Sequence, residues 1–158
     1  MLKLYKFTDG QKLYWETWES EPGISLVHWG ELGTKGETKT VTSSLFRSAH
    51  KTIQKEIDQL VEDGFAPVEL EDYPILMIEY AVDGMGNEQD IAKRHRLEDR
   101  MNETLGCTGL GMCDGGSIGS GTMEVCTFVV DYDVARRVVE GDLQNTEFSD
   151  FVRIYEEV

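Results

Sequence analysis

Near the middle of the chain stands the segment Phe65-Ala66-Pro67-Val68-Glu69-Leu70-Glu71-Asp72-Tyr73-Pro74. Proline fixes its own φ, offers no N–H, and pushes the residue before it out of the helical region. Two prolines among acidic residues therefore predict an extended linker rather than a continuing helix or a central strand. The boundary falls near residue 70, giving one domain over 1–70 and a second over 71–158. A length of 158 residues leaves room for two small cores and no large one.

Charge divides at the same place. Residues 1–70 hold 8 basic and 11 acidic residues, a balance of −3, and residues 71–158 hold 7 and 19, a balance of −12. The whole chain stands at −15. Such a surface repels phosphate backbones and anionic membranes and favours basic partners or simple solubility. Three cysteines, Cys107, Cys113 and Cys126, form an odd set. The N-terminus alternates like a strand and has no leader-like apolar run, so a cytoplasmic protein with free thiols is expected. No apolar run reaches membrane-spanning length.

The first half begins with strand patterns. Leu2 and Leu4 alternate with polar neighbours up to Phe7, and Asp9-Gly10 supplies a turn. Leu13 to Trp18 and Ile24 to Trp29 follow as strands, then Gly30-Glu31-Leu32-Gly33-Thr34-Lys35-Gly36 as a turn, then Glu37 to Thr42 as a polar strand. Trp15 and Trp18, three apart, point to opposite faces, and at least two of the three tryptophans are expected in the core. Ser43 or Ser44 is the expected N-cap of a helix. Phe46, Ala49, Ile53, Ile57 and Leu60 share one face of it, and Gly64 ends it.

The second half reads β-α-β-β-α-β. Ile75 to Val82 is a strand. Asn87 caps a helix with Asp90 three places on, and Leu97, Met101 and Leu105 recur along it with Ile91 near the same face. Met123 to Val130 is a strand, Asp131 or Asp133 opens a helix with Val134/Val138 and Ala135/Val139 pairs, and Phe151 to Tyr155 closes the unit. A short strand within 109–119 completes the order. That order implies a ferredoxin-like α+β sandwich, four antiparallel strands with both helices on one face.

The stretch Trp29-Gly30-Glu31-Leu32-Gly33-Thr34-Lys35-Gly36 resembles the signature of the WGR domain family. The family motif is Trp-Gly-Arg, an aliphatic residue, Gly, and a second Gly three further on. The resemblance covers residues 1 to about 66, with Gly64-Phe65 at the family's Gly-aromatic helix end and Ala49 at its helix alanine. It implies a small antiparallel sheet with one packed helix. In poly(ADP-ribose) polymerases such domains sense DNA ends through the tryptophan and nearby basic residues. Here Glu31 takes the arginine's place and would repel a phosphate, leaving Lys35 and Lys39 as a thin basic footprint. The family also occurs in bacterial proteins without a polymerase domain, which is the arrangement this chain resembles. The second half vaguely resembles small bacterial ferredoxin-like modules.

Candidate chemistry is sparse. The glycines from Gly106 to Gly121 follow a helix and precede a strand, the reverse of a phosphate cradle, and no basic residue lies between Arg100 and Arg136. An irregular hairpin or flexible loop is expected there. Asp114 within it could face a cation or a basic side chain, though Asp before Gly ordinarily makes a turn. The cysteine spacing does not suit zinc, and no base stands beside a cysteine in the sequence. Lys93-Arg94-His95-Arg96 is flanked by acids, and Asp90–Arg94 and Arg94–Glu98 are expected to compensate it. No catalytic, metal or cofactor site is expected. The binding candidates are Trp29, Glu31, Lys35, Lys39 and Asp114. The function expected is a non-enzymatic adaptor whose acidic surface docks a basic protein, an immunity protein against a nuclease being one setting; the alternative is nucleic-acid end binding through the first domain.

Overall fold

The computed structural model of the protein describes residues 1–158, the side chain of Leu70 excepted. The chain forms two compact units, Met1–Glu69 and Leu70–Val158. It is mixed α+β, with two four-stranded antiparallel sheets and three α-helices. Among the described residues no helix is long and apolar enough to cross a membrane.

In the first unit β1 (Leu2–Thr8), β2 (Gln11–Glu21), β3 (Ile24–Glu31) and β4 (Glu37–Thr42) pair in chain order as a meander. Register places Leu4 opposite Trp15 and Trp15 opposite Trp29. Because side chains alternate across a strand, these residues share one face. α1 (Ala49–Glu62) packs its Ile53 there against Leu4, Trp15 and Val27, with Trp29, Val41, Ile57, Leu60 and Phe65 around them. The helix starts later than expected. Ser48, not Ser43 or Ser44, is the N-cap, accepting from Lys51 N. Phe46 accordingly leaves the helical stripe and is 98% exposed. A short turn intervenes instead, in which Ser44 N donates to Arg47 O at 2.8 Å. At the far end Gly64 takes φ +96°, and Phe65 N donates to Leu60 O, six residues closing on the first as in a Schellman cap. The expected linker does not begin at Phe65: Ala66 exchanges both backbone hydrogen bonds with Tyr5 and extends the sheet edge.

In the second unit β5 (Ile75–Ala81), α2 (Glu88–Cys107), β6 (Gly111–Gly119), β7 (Thr122–Val129), α3 (Tyr132–Leu143) and β8 (Arg153–Glu157) follow one another, and the sheet runs β6-β7-β5-β8. Along β7 burial alternates, with Met123, Val125, Thr127 and Val129 inside. Leu97, Met101 and Leu105 of α2 and Val134, Ala135, Val139 and Leu143 of α3 are buried with them. Asn87 and Asp90 make the reciprocal capping box at the start of α2, and Asp131 caps α3. Ile91 stays out of the core, 45% exposed, because it lies off the stripe that Leu97 and its partners define.

The glycine-rich segment forms an irregular hairpin rather than a loose loop. Ser120 and Gly121, both at positive φ, make the two-residue connection between β6 and β7. The glycines of β6 have steric reasons. A Cβ on Gly111 would stand 1.9 Å from Phe128 O, and one on Gly116 would stand 2.9 Å from Glu98 Oε1 and 3.0 Å from Arg94 Cδ. Bare backbone there lets α2 lie close on the sheet. Asp114 does not make the expected turn. It occupies an exposed bulge between Cys113 and Gly115 in β6, at the edge of the sheet.

Candidate functional site

The WG…G stretch spans the end of β3 and the turn into β4. A Cβ on Gly30 would lie 2.7 Å from Gly36 Cα, and one on Gly36 would lie 2.1 Å from Trp29 O. Gly36 also has φ +58°. The two glycines thus allow the turn to fold back onto its own strand. Thr34 stiffens it by donating from N and Oγ1 to Glu31 O at 3.0 and 2.7 Å.

Beneath the turn lies a polar row that the sequence reading missed. Register sets Lys3 opposite Glu16 and Glu16 opposite His28. His28 Nδ1 is 2.7 Å from Glu16 Oε1, and Lys3 Nζ is 3.3 Å from Glu16 Oε2. His28 Nε2 is 2.7 Å from Lys35 O and 2.9 Å from the Tyr14 hydroxyl, which itself donates to Thr34 O. His28 is 6% exposed and Glu16 5%. Both ring nitrogens are taken up by the protein, so this constellation has no nitrogen to offer a substrate proton. It works as a buried fastening for the turn. The signal for it was the spacing of Lys3, Glu16 and His28, legible only once register is known.

The binding candidates separate. Trp29 is half-buried on the α1 face, with Lys39 Nζ 5.4 Å from its ring centroid. Glu56 of α1 holds that lysine at 2.7 Å and accepts from Trp15 Nε1 at 3.0 Å. Trp29 and Lys39 are therefore brought together, with a carboxylate against the lysine. Glu31 and Lys35 are exposed, and the carbonyl of Lys35 serves the His28 fastening beneath the sheet's other face. Asp114 belongs to the second unit, on the edge strand β6.

Two further features carry potential chemistry. In the second unit, Arg96 grips Glu147 with Nε and Nη2 at 2.8 and 3.0 Å, and Arg100 grips Asp142 likewise at 2.7 and 3.1 Å. Lys93 meets Asp150 at 2.7 Å and Arg94 meets Glu98 at 3.2 Å. The basic cluster is compensated mainly by acids on or after α3; of the two expected pairs only Arg94–Glu98 forms, because Asp90 turns back to cap Asn87 N. The hydrogen bond from Arg96 holds the Glu147 carboxyl below its ordinary range. Burial pushes the Cys113 thiol up to about 11, against a smaller lowering by hydrogen bonding from the Gly115 backbone, and burial raises Cys126 as well. These thiols stay protonated at neutral pH and are poor nucleophiles. Among the described residues no group of three or more His, Cys, Asp or Glu is placed to hold a metal ion.

The chain matches no family model, no curated protein and no solved structure.

Proposed function

We propose that the protein is a non-catalytic binding or adaptor protein whose acidic second unit docks a basic protein partner. The observation that carries this is the use of charge within that unit. Ion pairs inside the unit engage Lys93, Arg94, Arg96, Arg100, Arg136 and Arg153, six of its 7 basic residues. With 19 acids in the same segment, the negative excess is left for solvent or a partner. Asp99, Glu103 and Asp114 are among the exposed carboxylates. A field of this kind speeds encounter with a cationic surface and loses force with salt.

The fold readings are part of the proposal. The spatial order β6-β7-β5-β8 with two helices supports a ferredoxin-like second unit. The four-stranded meander with one helix, and the Gly30–Gly36 approach, support a WGR-like first unit. A cytoplasmic setting is proposed on the three cysteines, none of which is in a disulfide. Nucleic-acid end binding is the weaker reading, because Glu56 already opposes the charge of Lys39 beside Trp29.

The test is fluorescence anisotropy of a labelled oligolysine peptide titrated with the protein at low and physiological salt. Docking on the second unit requires affinity that falls with salt and falls again in Asp99→Asn/Glu103→Gln, but not in Glu31→Gln. Affinity indifferent to salt, or equal in the three proteins, would sink the proposal. A nicked, 5′-phosphorylated duplex serves as the second probe, and binding to it that Trp29→Ala abolishes would favour the nucleic-acid reading instead.

A further inference from the structure

The turn before α1 carries the two most exposed large apolar side chains among the described residues inside the chain. Ser44 N donates to Arg47 O at 2.8 Å, closing a tight turn with Leu45 and Phe46 at its corners. Leu45 is 96% exposed and Phe46 98%. Turn corners favour Gly, Pro, Asn and Asp, whose backbone and side chains suit the bend. Two bulky apolar residues there gain nothing from the turn itself and lose by meeting water.

The same turn adjoins a cleft of about 480 Å³ in the first unit, whose apolar wall includes Leu2, Ile53 and Ile57. Ser43 and Ala49, the residues flanking the turn, both line it. They are fixed to each other, since Ala49 N donates to Ser43 Oγ at 2.9 Å, and Ser43 N donates to Gly23 O at 2.8 Å. A turn anchored this way at both ends holds Leu45 and Phe46 out beside the cleft rather than in it. Glu19, exposed, lines the cleft as well, and Arg47, exposed, follows Phe46 on the turn.

We propose that the first unit is a self-complementary docking surface, on which two copies of this chain exchange their Leu45-Phe46 tips. Each tip enters the other copy's cleft against Leu2, Ile53 and Ile57, and each Arg47 meets the other's Glu19. Three features favour a second copy as the occupant. The projection and the hollow are both present on one molecule. Their charges are opposite where they would meet. And they adjoin each other, so one two-fold axis beside the cleft satisfies both exchanges at once and closes the assembly as a dimer; a tip and cleft on opposite sides would instead build an open chain of copies. The first unit carries 8 basic and 11 acidic residues, so it can approach its like with little repulsion, unlike the second. The contact is small, which places it among weak, reversible associations.

Sedimentation equilibrium of the full chain from about 1 µM to about 500 µM covers the range of such an association. The expected result is a mass rising from one chain to two and no further. Phe46→Ser removes no intramolecular packing, since the ring is in solvent, and should weaken the association by about tenfold or more. Arg47→Glu should weaken it several-fold, and Arg47→Glu/Glu19→Lys should recover most of that loss, which a disturbed turn could not do. A single-chain mass throughout, growth beyond two chains, a dimer that Phe46→Ser leaves intact, or no recovery in the paired variant would each overturn the exchange.

Discussion

His28 Nε2 lies 2.7 Å from the Lys35 carbonyl oxygen, and through this contact a buried imidazole ties down the glycine-punctuated turn. The ring is held from the other side by Glu16 at 2.7 Å. His28→Leu keeps the bulk but removes both contacts, leaving a 5%-exposed carboxylate with Lys3 alone at 3.3 Å. Breaking a buried pair from one side costs about 3 kcal/mol. Trp15, Trp18 and Trp29 all lie in this unit, so intrinsic fluorescence during denaturant unfolding reads it directly. His28→Gln, which can replace one of the two contacts, should fall between. Coincident midpoints for wild type and His28→Leu would show the fastening to be dispensable.

Gly36→Ala should be among the most damaging small substitutions in the first unit. Its φ is +58°, and the added Cβ would collide with the Trp29 carbonyl and the Tyr14 hydroxyl, the latter at 2.4 Å. Strain of this kind costs about 1–3 kcal/mol before any clash is relieved. Gly10→Ala is the control, because nothing lies within 4 Å of its Cβ position. That substitution should stay within about 0.5 kcal/mol of wild type. Equal losses at the two positions would remove the case for the Gly30–Gly36 approach.

These two sites show where the sequence was legible and where it was not. Alternation and turn residues located the strands other than β6, because a half-buried strand must alternate and a two-residue hairpin needs residues such as Asp9-Gly10; β6, rich in glycine, followed only from the order of its neighbours. The Asn87–Asp90 box marked the start of α2 for the same local reason. Phe46 misled because spacing alone put it on the helical stripe, while the N-cap, Ser48, comes two residues after it. Asp114 misled because Asp-Gly serves bulges as well as turns. The Lys3–Glu16–His28 row is a matter of register between three strands, and the partners of Arg96 and Arg100 come from 42 to 51 residues away. Neither kind of long-range pairing leaves a local mark.

Alkylation of Cys113 should lag behind that of an ordinary thiol until strongly alkaline pH. Burial raises it from 9.0 to about 11, so little thiolate exists at pH 8. Iodoacetamide labelling of the native chain, read at Cys113 by peptide mass, should rise with a midpoint near 11. The same shift bears on stability. The folded state binds the thiol proton more tightly than the unfolded state, so the associated stability is whole below about pH 9 and is lost as pH climbs through about 11. Labelling with a midpoint at or below 9 would place Cys113 in water rather than against the sheet.

Tyr80→Phe should disturb the second unit more than Arg96→Ala, although the latter removes a bidentate ion pair. The Tyr80 hydroxyl donates to Phe148 O at 2.9 Å, in a site where Tyr80 is 2% exposed and Phe148 5%. Burial, with Asp150 adding to it, raises the hydroxyl's pKa, so it remains a donor throughout the usable pH range. Phenylalanine would leave a buried carbonyl without its partner, at about 1–3 kcal/mol. Arg96 and Glu147 are half in solvent, where such a pair adds little to stability and is screened by salt. The consequence also has a place. Phe148 lies between Glu147 and Asp150, the partners of Arg96 and Lys93, and Val152 N donates to Glu79 O at 2.7 Å just beyond. Hydrogen exchange at Val152 should therefore accelerate in Tyr80→Phe and hardly change in Arg96→Ala. The reverse ranking would mean that the surface pairs, and not the buried hydroxyl, hold the segment after α3 to β5.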